Sequence, residues 1–198
     1  MPPNVFIIGP QCTGKTTLVL QLEKLLTKYT NITTTQPFII HEVVRQIMST
    51  KHFSADDFST NRWIELQDLT IKAQIDAEEA LEKHWFISDR SVLDPVVYTQ
   101  LYTESLGKLR EAEGWVASVQ RMRDGVVILC EAGQRAWLSS DAVRIAFANT
   151  EQWEAMNEQF KELLGGEDIP YHLLSRHVVS IEERVEFVVE RLLRPCSM

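Results

Sequence analysis

Short unbroken apolar runs alternate along the chain with longer stretches in which apolar residues recur every three or four positions. The first pattern suits strands covered on both faces, and the second suits helices with one apolar stripe. Val5–Ile8 is a run of β-formers and reads as a central strand. After a glycine-containing loop, Leu18, Leu22, Leu25, Leu26 and Tyr29 fall at helical spacing. Phe38–Ile40 reads as a second strand ending at His41-Glu42, with a short helix through Val43–Met48 behind it. The stretch from about Ser59 to Lys83 lacks helix breakers and reads as one long helix. Trp85–Ile87 is the third strand and ends at Ser88-Asp89-Arg90. Pro95 stands near a helix start, where its missing N–H costs little, and helical sequence continues through Arg123. Asp124-Gly125 turns the chain into Val126–Cys130, the fourth strand. A polar, partly helical stretch carrying Arg135, Asp141 and Arg144 follows, then a helix through Leu164 that stops at Gly165-Gly166. Tyr171–Leu174 is the fifth strand. Ser180-Ile181-Glu182-Glu183 is a capping-box pattern opening a last helix, whose apolar face is Ile181, Val185, Val188, Val189 and Leu192.

Strands separated by helices predict an α/β fold with a largely parallel sheet. With 198 residues and no repeat, low-complexity tract or linker-like stretch, a single domain over 1–198 is expected. Apolar residues at 44% and charged residues at 24% are an ordinary globular balance. The net charge of -8 argues against a general nucleic-acid binder, yet leaves room for a small anion on a local loop. Cys12, Cys130 and Cys196 are odd in number and far apart, without metal-ligand or disulfide spacing, which points to a reducing compartment. No run approaches the ~20 apolar residues of a membrane span, and Met1-Pro2-Pro3-Asn4 lacks the regions of a signal peptide. The expectation is an intracellular protein, with the cytoplasm as its compartment and homo-oligomerisation left open. Trp63 and Trp115 are expected in the core.

The segment Gly9-Pro10-Gln11-Cys12-Thr13-Gly14-Lys15-Thr16 carries the chemistry. Gly9 and Gly14 bracket a loop that must wrap closely around a phosphate, where side chains clash and left-handed backbone angles are needed. The N–H groups of Gln11, Cys12, Thr13 and Gly14, with Thr17 at the head of the next helix, face the anion together. Lys15 is placed to reach the β- and γ-phosphates, and the Thr16 hydroxyl to ligate Mg²⁺. An apolar strand directly before the loop and an amphipathic helix directly after it supply the context such a P-loop requires. Cys12 is either a small tolerated side chain or, near a helix N-terminus, a redox-sensitive thiol.

Phe6-Ile7-Ile8-Gly9-Pro10 through Thr16, His41-Glu42-Val43-Val44-Arg45, and Ile87-Ser88-Asp89-Arg90-Ser91 with Asp94-Pro95 and Tyr98 resemble the small-molecule kinase branch of P-loop proteins. The likeness is greatest to the AAA-type ATPase/kinase domain of ribosylnicotinamide kinases, and more distant to deoxynucleoside and thymidylate kinases. It implies a P-loop NTPase three-layer sandwich with a five-stranded parallel sheet in the order 2-3-1-4-5. It further implies that Asp89 is the acidic partner of Mg²⁺ and that Arg90 contacts phosphate or orients the acceptor. Glu42 corresponds to an acid that accepts the acceptor hydroxyl's proton, though it serves equally to orient the substrate or to open the next helix. Arg45 is a candidate substrate contact. Arg135 and Arg144 fall where such kinases carry a mobile lid, at about 132–148, and Arg144 is the candidate to neutralise the transferring phosphoryl group. Glu131, after the fourth strand, competes with Asp89 for the acidic role.

The implied activity is an ATP- and Mg-dependent phosphotransferase acting on a hydroxyl of a small, nucleoside-like molecule. The alternative is a nucleotide-dependent switch with little turnover; an Asn-Lys-x-Asp guanine-reading motif is absent, but GTP stays open. No stretch of this sequence resembles the adenylyltransferase half of the bifunctional relatives.

Overall fold

The computed structural model describes residues 1–28, 35–54, 57, 61–100, 107–134, 137 and 150–193. The readings for Tyr29, Ser59, Arg135, Asp141, Arg144 and Cys196, and for most of the 132–148 lid, lie outside these residues.

Strands β1 (Val5–Ile8), β2 (Phe38–Ile40), β3 (Phe86–Asp89), β4 (Val126–Cys130) and β5 (His172–Leu174) form one sheet in the order β2-β3-β1-β4-β5. Every neighbouring pair is parallel, with Ile7 opposite both Asp89 and Ile128. This is the α/β topology expected from the sequence. Its parallel strands need a crossover between each pair, and helices supply them.

The side chains of β1 alternate between two cores. Val5 and Ile7 face a cluster with Leu18, Val19, Leu22 and Leu26 of α1 (Lys15–Lys28) and Val185, Val188 and Leu192 of α8 (Ile181–Leu193). Phe6 and Ile8 face the opposite cluster, built from α2 (Val43–Lys51), α3 (Asn61–Glu79), α4 (Leu93–Gln100), α5 (Gly107–Arg110), α6 (Trp115–Arg123) and α7 (Thr150–Gly166). Helices on both faces make the three layers, and they explain why Val5–Ile8 is uninterruptedly apolar. Trp63 and Trp115 are buried, as expected. Among the described residues no helix is long and apolar enough to cross a membrane.

Several boundaries differ from the sequence reading. α3 ends at Glu79, four residues before Lys83, because the chain tightens there: Leu81 N–H bonds the Glu78 carbonyl and Glu82 N–H that of Glu79. β3 is shifted by one or two residues and includes Asp89, whose strand geometry continues through pairing with Ile7. α2 runs on to Lys51 and β5 starts at His172. α7 stops at the Gly165-Gly166 pair, its last residue being Gly166, although both glycines are themselves helical. The terminator is Asp168 at φ 51, where Ile169 N–H bonds the Leu164 carbonyl (2.9 Å) and Asp168 N–H that of Gly165 (3.2 Å). That bonding satisfies the last carbonyls as a left-handed cap does, with an aspartate in the usual glycine position. At α8 half of the capping box forms. Glu183 N–H bonds Ser180 Oγ at 3.4 Å, but the Ser180 hydroxyl donates to Glu182 rather than engaging Glu183 reciprocally.

In a parallel sheet the carboxyl ends of the strands share one edge. Gly9, Glu42, Asp89-Arg90 and Glu131 therefore emerge together, and ligands of open α/β sheets bind at such an edge.

Candidate active site

The loop after β1 is shaped by two glycines in backbone conformations that other residues rarely adopt. Gly9 has φ 128, and a Cβ there would lie 2.5 Å from the Cys130 carbonyl oxygen. Gly14 has φ 76 and directs the chain into α1, with Leu18 N–H on its carbonyl at 3.0 Å. Cys12 is also left-handed, at φ 59. Two aromatic residues anchor the loop from outside: Gln11 N–H donates to the Tyr98 hydroxyl (2.8 Å), and Trp153 Nε1–H donates to the Gln11 carbonyl (2.8 Å).

Lys15 is buried beneath the loop, its ammonium donating to the Gly9 carbonyl at 2.8 Å and the Pro10 carbonyl at 2.6 Å, with Thr13 Oγ1 at 3.3 Å. Burial, and then the nearby Arg90 guanidinium, lower its pKa from 10.5 to about 8. An ammonium held this way gains from any anion that restores its charge balance. Thr16 and Thr17 are exposed at the head of α1, where backbone N–H groups face the loop mouth.

The Thr16 hydroxyl donates to Asp89 Oδ2 at 2.6 Å, while Asp89 Oδ1 is buried without a hydrogen-bond partner. A hydroxyl beside a half-satisfied carboxylate is a donor set suited to a hard cation. Among the described residues no three acidic, histidine or cysteine side chains converge as a metal cage. A cation on Thr16 and Asp89 would draw its remaining ligands from water and phosphate, which is the habit of Mg²⁺. Glu131, the competing acid, faces elsewhere: Arg176 N–H bonds it at 2.9 Å and the Arg176 guanidinium pairs with it at 3.6 Å.

Arg90 stands at φ 93, a conformation that strains a residue with a Cβ. Its N–H bonds the Ile7 carbonyl at 3.0 Å, which holds the kink. The guanidinium is braced by Glu42 Oε1 (2.6 Å), Asp94 Oδ1 (3.0 Å) and the Tyr98 hydroxyl (3.4 Å), and lies 5.3 Å from the Tyr98 ring centroid. Burial works against its charge, yet Glu42, Tyr98 and Asp94 hold its pKa well above the ordinary value. For Glu42 burial likewise raises the pKa, but Arg90 and then Arg45 outweigh it, and the result is about 2. Asp94 is raised by burial, against the pull of Arg90 and Lys15. Glu42 also stands at the N-cap of α2 without a side-chain cap bond, its carboxylate turned to the arginines instead.

These groups open into one cleft, with about 870 Å³ of space between atoms, part of it open solvent. Its phosphate side is Gln11–Thr17. Opposite stand Glu42, Arg45 and Arg90, and α2, α3 and α4 close it with Met48, Trp63, Leu66, Gln67, Thr70 and Tyr98. Of the expected site residues, Gly9, Gln11, Cys12, Thr13, Gly14, Lys15, Thr16, Thr17, Glu42, Asp89 and Arg90 come together at this edge, and Arg144 lies outside the described residues. Sequence reasoning missed Trp153 and Arg184, which hold the loop from α7 and α8, and the α3 wall at Gln67 and Thr70. The α3 residues had a signal: polar positions among Trp63, Leu66 and Ile71 on the buried side of a helix.

No curated protein matches the chain significantly by sequence. Solved structures do match in fold. Deoxyadenosine kinase from M. mycoides, with products dCMP and a flexible dCDP bound, superposes with a TM-score of 0.67 at 14% identity, covering 96% of this chain and 98% of that one. NadR protein in complex with NAD and AMP-PNP gives 0.68 at 15% identity, covering 98% of this chain but 50% of its own. YorR protein from Bacillus subtilis, in complex with phosphorylated GDP, gives 0.55 at 15% identity over 94% and 93%. The family description of the AAA domain matches residues 4–184, nearly the whole chain, and the protein belongs to that AAA-domain family of P-loop proteins.

Proposed function

We propose that the protein is an ATP- and Mg-dependent phosphotransferase acting on a hydroxyl of a small, nucleoside-like molecule. The observation that carries this reading is the single cleft with two unlike halves. A phosphate loop lies on one side, and an acidic-basic pair, Glu42 with Arg90, lies on the other beside an apolar and amide-bearing wall. A nucleotide switch needs the first half only. The deoxyadenosine kinase and NadR likenesses support the same choice at the level of fold.

In this reading the loop N–H groups and the Lys15 ammonium bind the triphosphate. Thr16 and Asp89 would hold Mg²⁺, which would supply charge neutralisation to the bound triphosphate. Arg90, fixed by three partners, holds positive charge at the acceptor side with little freedom to lose. Glu42, with a pKa of about 2, is too weak a base to abstract an alcohol proton before the phosphoryl group departs. Its carboxylate instead accepts the hydroxyl hydrogen bond and aims the oxygen, and takes the proton only as the new O–P bond forms and the bond to the leaving ADP breaks. Trp63, Leu66 and Met48 offer an apolar surface to a ring, and Gln67 and Thr70 offer hydrogen bonds to its edge.

The test is calorimetric titration of ATP and GTP with Mg²⁺ into wild type and Lys15→Ala, followed by ADP formation against a panel of nucleosides and other small alcohols. Lys15-dependent binding with acceptor-dependent ADP release is expected. Binding with slow hydrolysis indifferent to every acceptor would overturn the kinase reading in favour of the switch, and absence of nucleotide binding would overturn both.

A further inference from the structure

Arg184 sits on α8, a helix to which the proposed chemistry assigns nothing, and it is only 3% exposed. Among the described residues no carboxylate pairs with it, although buried arginines are usually paired. One of its Nη groups donates to the Thr13 carbonyl at 2.7 Å and approaches Cys130 Sγ at 3.5 Å, which burial keeps in its thiol form. The guanidinium carbon lies 5.0 Å from the Trp137 ring centroid, and Nε is buried without a hydrogen-bond partner. A buried charge with one strong backbone contact costs stability, so the contact itself is the feature to explain.

The Thr13 carbonyl and the Gly14 N–H share one peptide plane and point in opposite directions. A donor that captures the carbonyl from the α8 side turns the Gly14 N–H away from α8. Gly14, like Gly9, has more backbone freedom to lose than the other residues of the loop. Its far peptide is fixed by Leu18 N–H on the Gly14 carbonyl, and its near peptide is fixed by Arg184. Side-chain atoms of Arg184 and Trp137 also stand 3.6–3.7 Å from where a Gly14 Cβ would be, so the pair backs the glycine directly.

We infer that Arg184 is a positioning residue of the phosphate loop. It sets the Thr13–Gly14 peptide so that the Gly14 N–H serves the anion, and it adds a fixed positive charge behind the loop without touching the ligand. The inference rests on the phosphate-binding reading of that loop.

Wild type, K15A, R184K and R184M are titrated with Mg-ATP and with inorganic tripolyphosphate plus Mg²⁺, adenosine serves as a phosphate-free control, and urea unfolding is measured for each. R184M, which keeps the length and loses the donor, should bind ATP and tripolyphosphate about tenfold more weakly, the effect of one lost charge-assisted hydrogen bond. Adenosine binding should stay within about twofold, and R184K, which restores one donor, should recover most of the phosphate affinity. A merely structural arginine would lower the urea midpoint while the folded variants kept their phosphate affinity, and that result overturns the inference. An R184M protein that does not fold leaves the wild type to decide. Its Arg184 side-chain N–H resonance, assigned by its loss in R184K, must shift when tripolyphosphate saturates the loop, and an unmoved resonance overturns the inference. If wild type and K15A alike fail to bind tripolyphosphate and ATP, the phosphate-loop reading falls and this inference with it; if K15A alone loses binding while R184M matches wild type, only the inference falls.

Discussion

Replacing Glu42 by glutamine keeps the shape of the side chain and removes the charge that Arg90 and Arg45 share. In the folded protein the carboxyl titrates at about 2, against an ordinary 4.5, because the two guanidiniums outweigh the cost of its burial. At about 1.4 kcal/mol per pH unit, that lowering corresponds to about 3 kcal/mol in favour of the charged folded state. Only 8% of the side chain is exposed, so solvent screening takes little from this figure. The folded pKa lies below the unfolded one, so the contribution is complete above about pH 4.5 and fades as pH falls toward 2. At pH 3 about 1 kcal/mol of it remains. E42Q should therefore unfold at a urea concentration lower by about 1–2 M at pH 7, taking ~2 kcal/mol/M for the denaturant slope. The gap between the two proteins should shrink by more than half between pH 5 and pH 3. Equilibrium urea unfolding followed by tryptophan fluorescence at pH 7, 5, 4 and 3 reads both quantities. A gap that stays constant over this range would refute the reasoning, since leaving Arg90 short of a partner shifts stability equally at every pH in it.

Asp89→Asn keeps an acceptor for the Thr16 hydroxyl and loses the charge, so the fold should hold within about 1 kcal/mol while the Mg²⁺ needed for half-maximal turnover rises at least about tenfold; an unchanged Mg²⁺ requirement would move the metal role to another acid. Gly9→Ala drives a Cβ against the Cys130 carbonyl at 2.5 Å from a backbone at φ 128, and should cost more than about 2 kcal/mol in urea unfolding. Glu78 is wholly buried, and burial raises its carboxyl above the ordinary value. The folded state thus holds the proton more tightly than the unfolded one, and stability drops as pH climbs past about 4.5. Glu78→Gln should remove that decline, making the variant more stable than wild type at pH 7 and equal to it below pH 4.5; a variant less stable at pH 7 would contradict the assignment.

The sheet was legible because a strand covered on both faces can only be an apolar run, and Val5–Ile8 and Val126–Cys130 are such runs. The phosphate loop was legible because close backbone approach leaves a glycine signature that survives without any knowledge of the fold. Asp89 and Arg90 were legible in place through the end of an apolar run, although their partners, Thr16 for the one and Glu42 and Asp94 for the other, are brought by other parts of the fold. Arg184 was not legible. It lies three residues after Ile181 and four before Val188, on the apolar stripe of the last helix, but that position does not say what a charge there would meet, and only the tertiary contact with Thr13 does. The end of α7 was legible in the paired glycines, where the helix does end, but its left-handed cap falls two residues later on Asp168, which tolerates it.

The supports of the phosphate loop have a consequence for the order in which the chain takes its final shape. Gln11 is tied to Tyr98, 87 residues downstream, and to Trp153, 142 downstream, while Thr13 is tied to Arg184 across 171 positions. Strand β1 itself waits for β3 and β4 to supply its neighbours. The loop that is synthesised before all of these supports is thus among the last to take its final shape, because pairings of such sequence separation form late and slowly. A ribosome-bound chain should not hold nucleotide until α8 has emerged. During that interval the apolar strand Val5–Ile8 has no partner of its own, and it is the segment a chaperone would have most reason to cover.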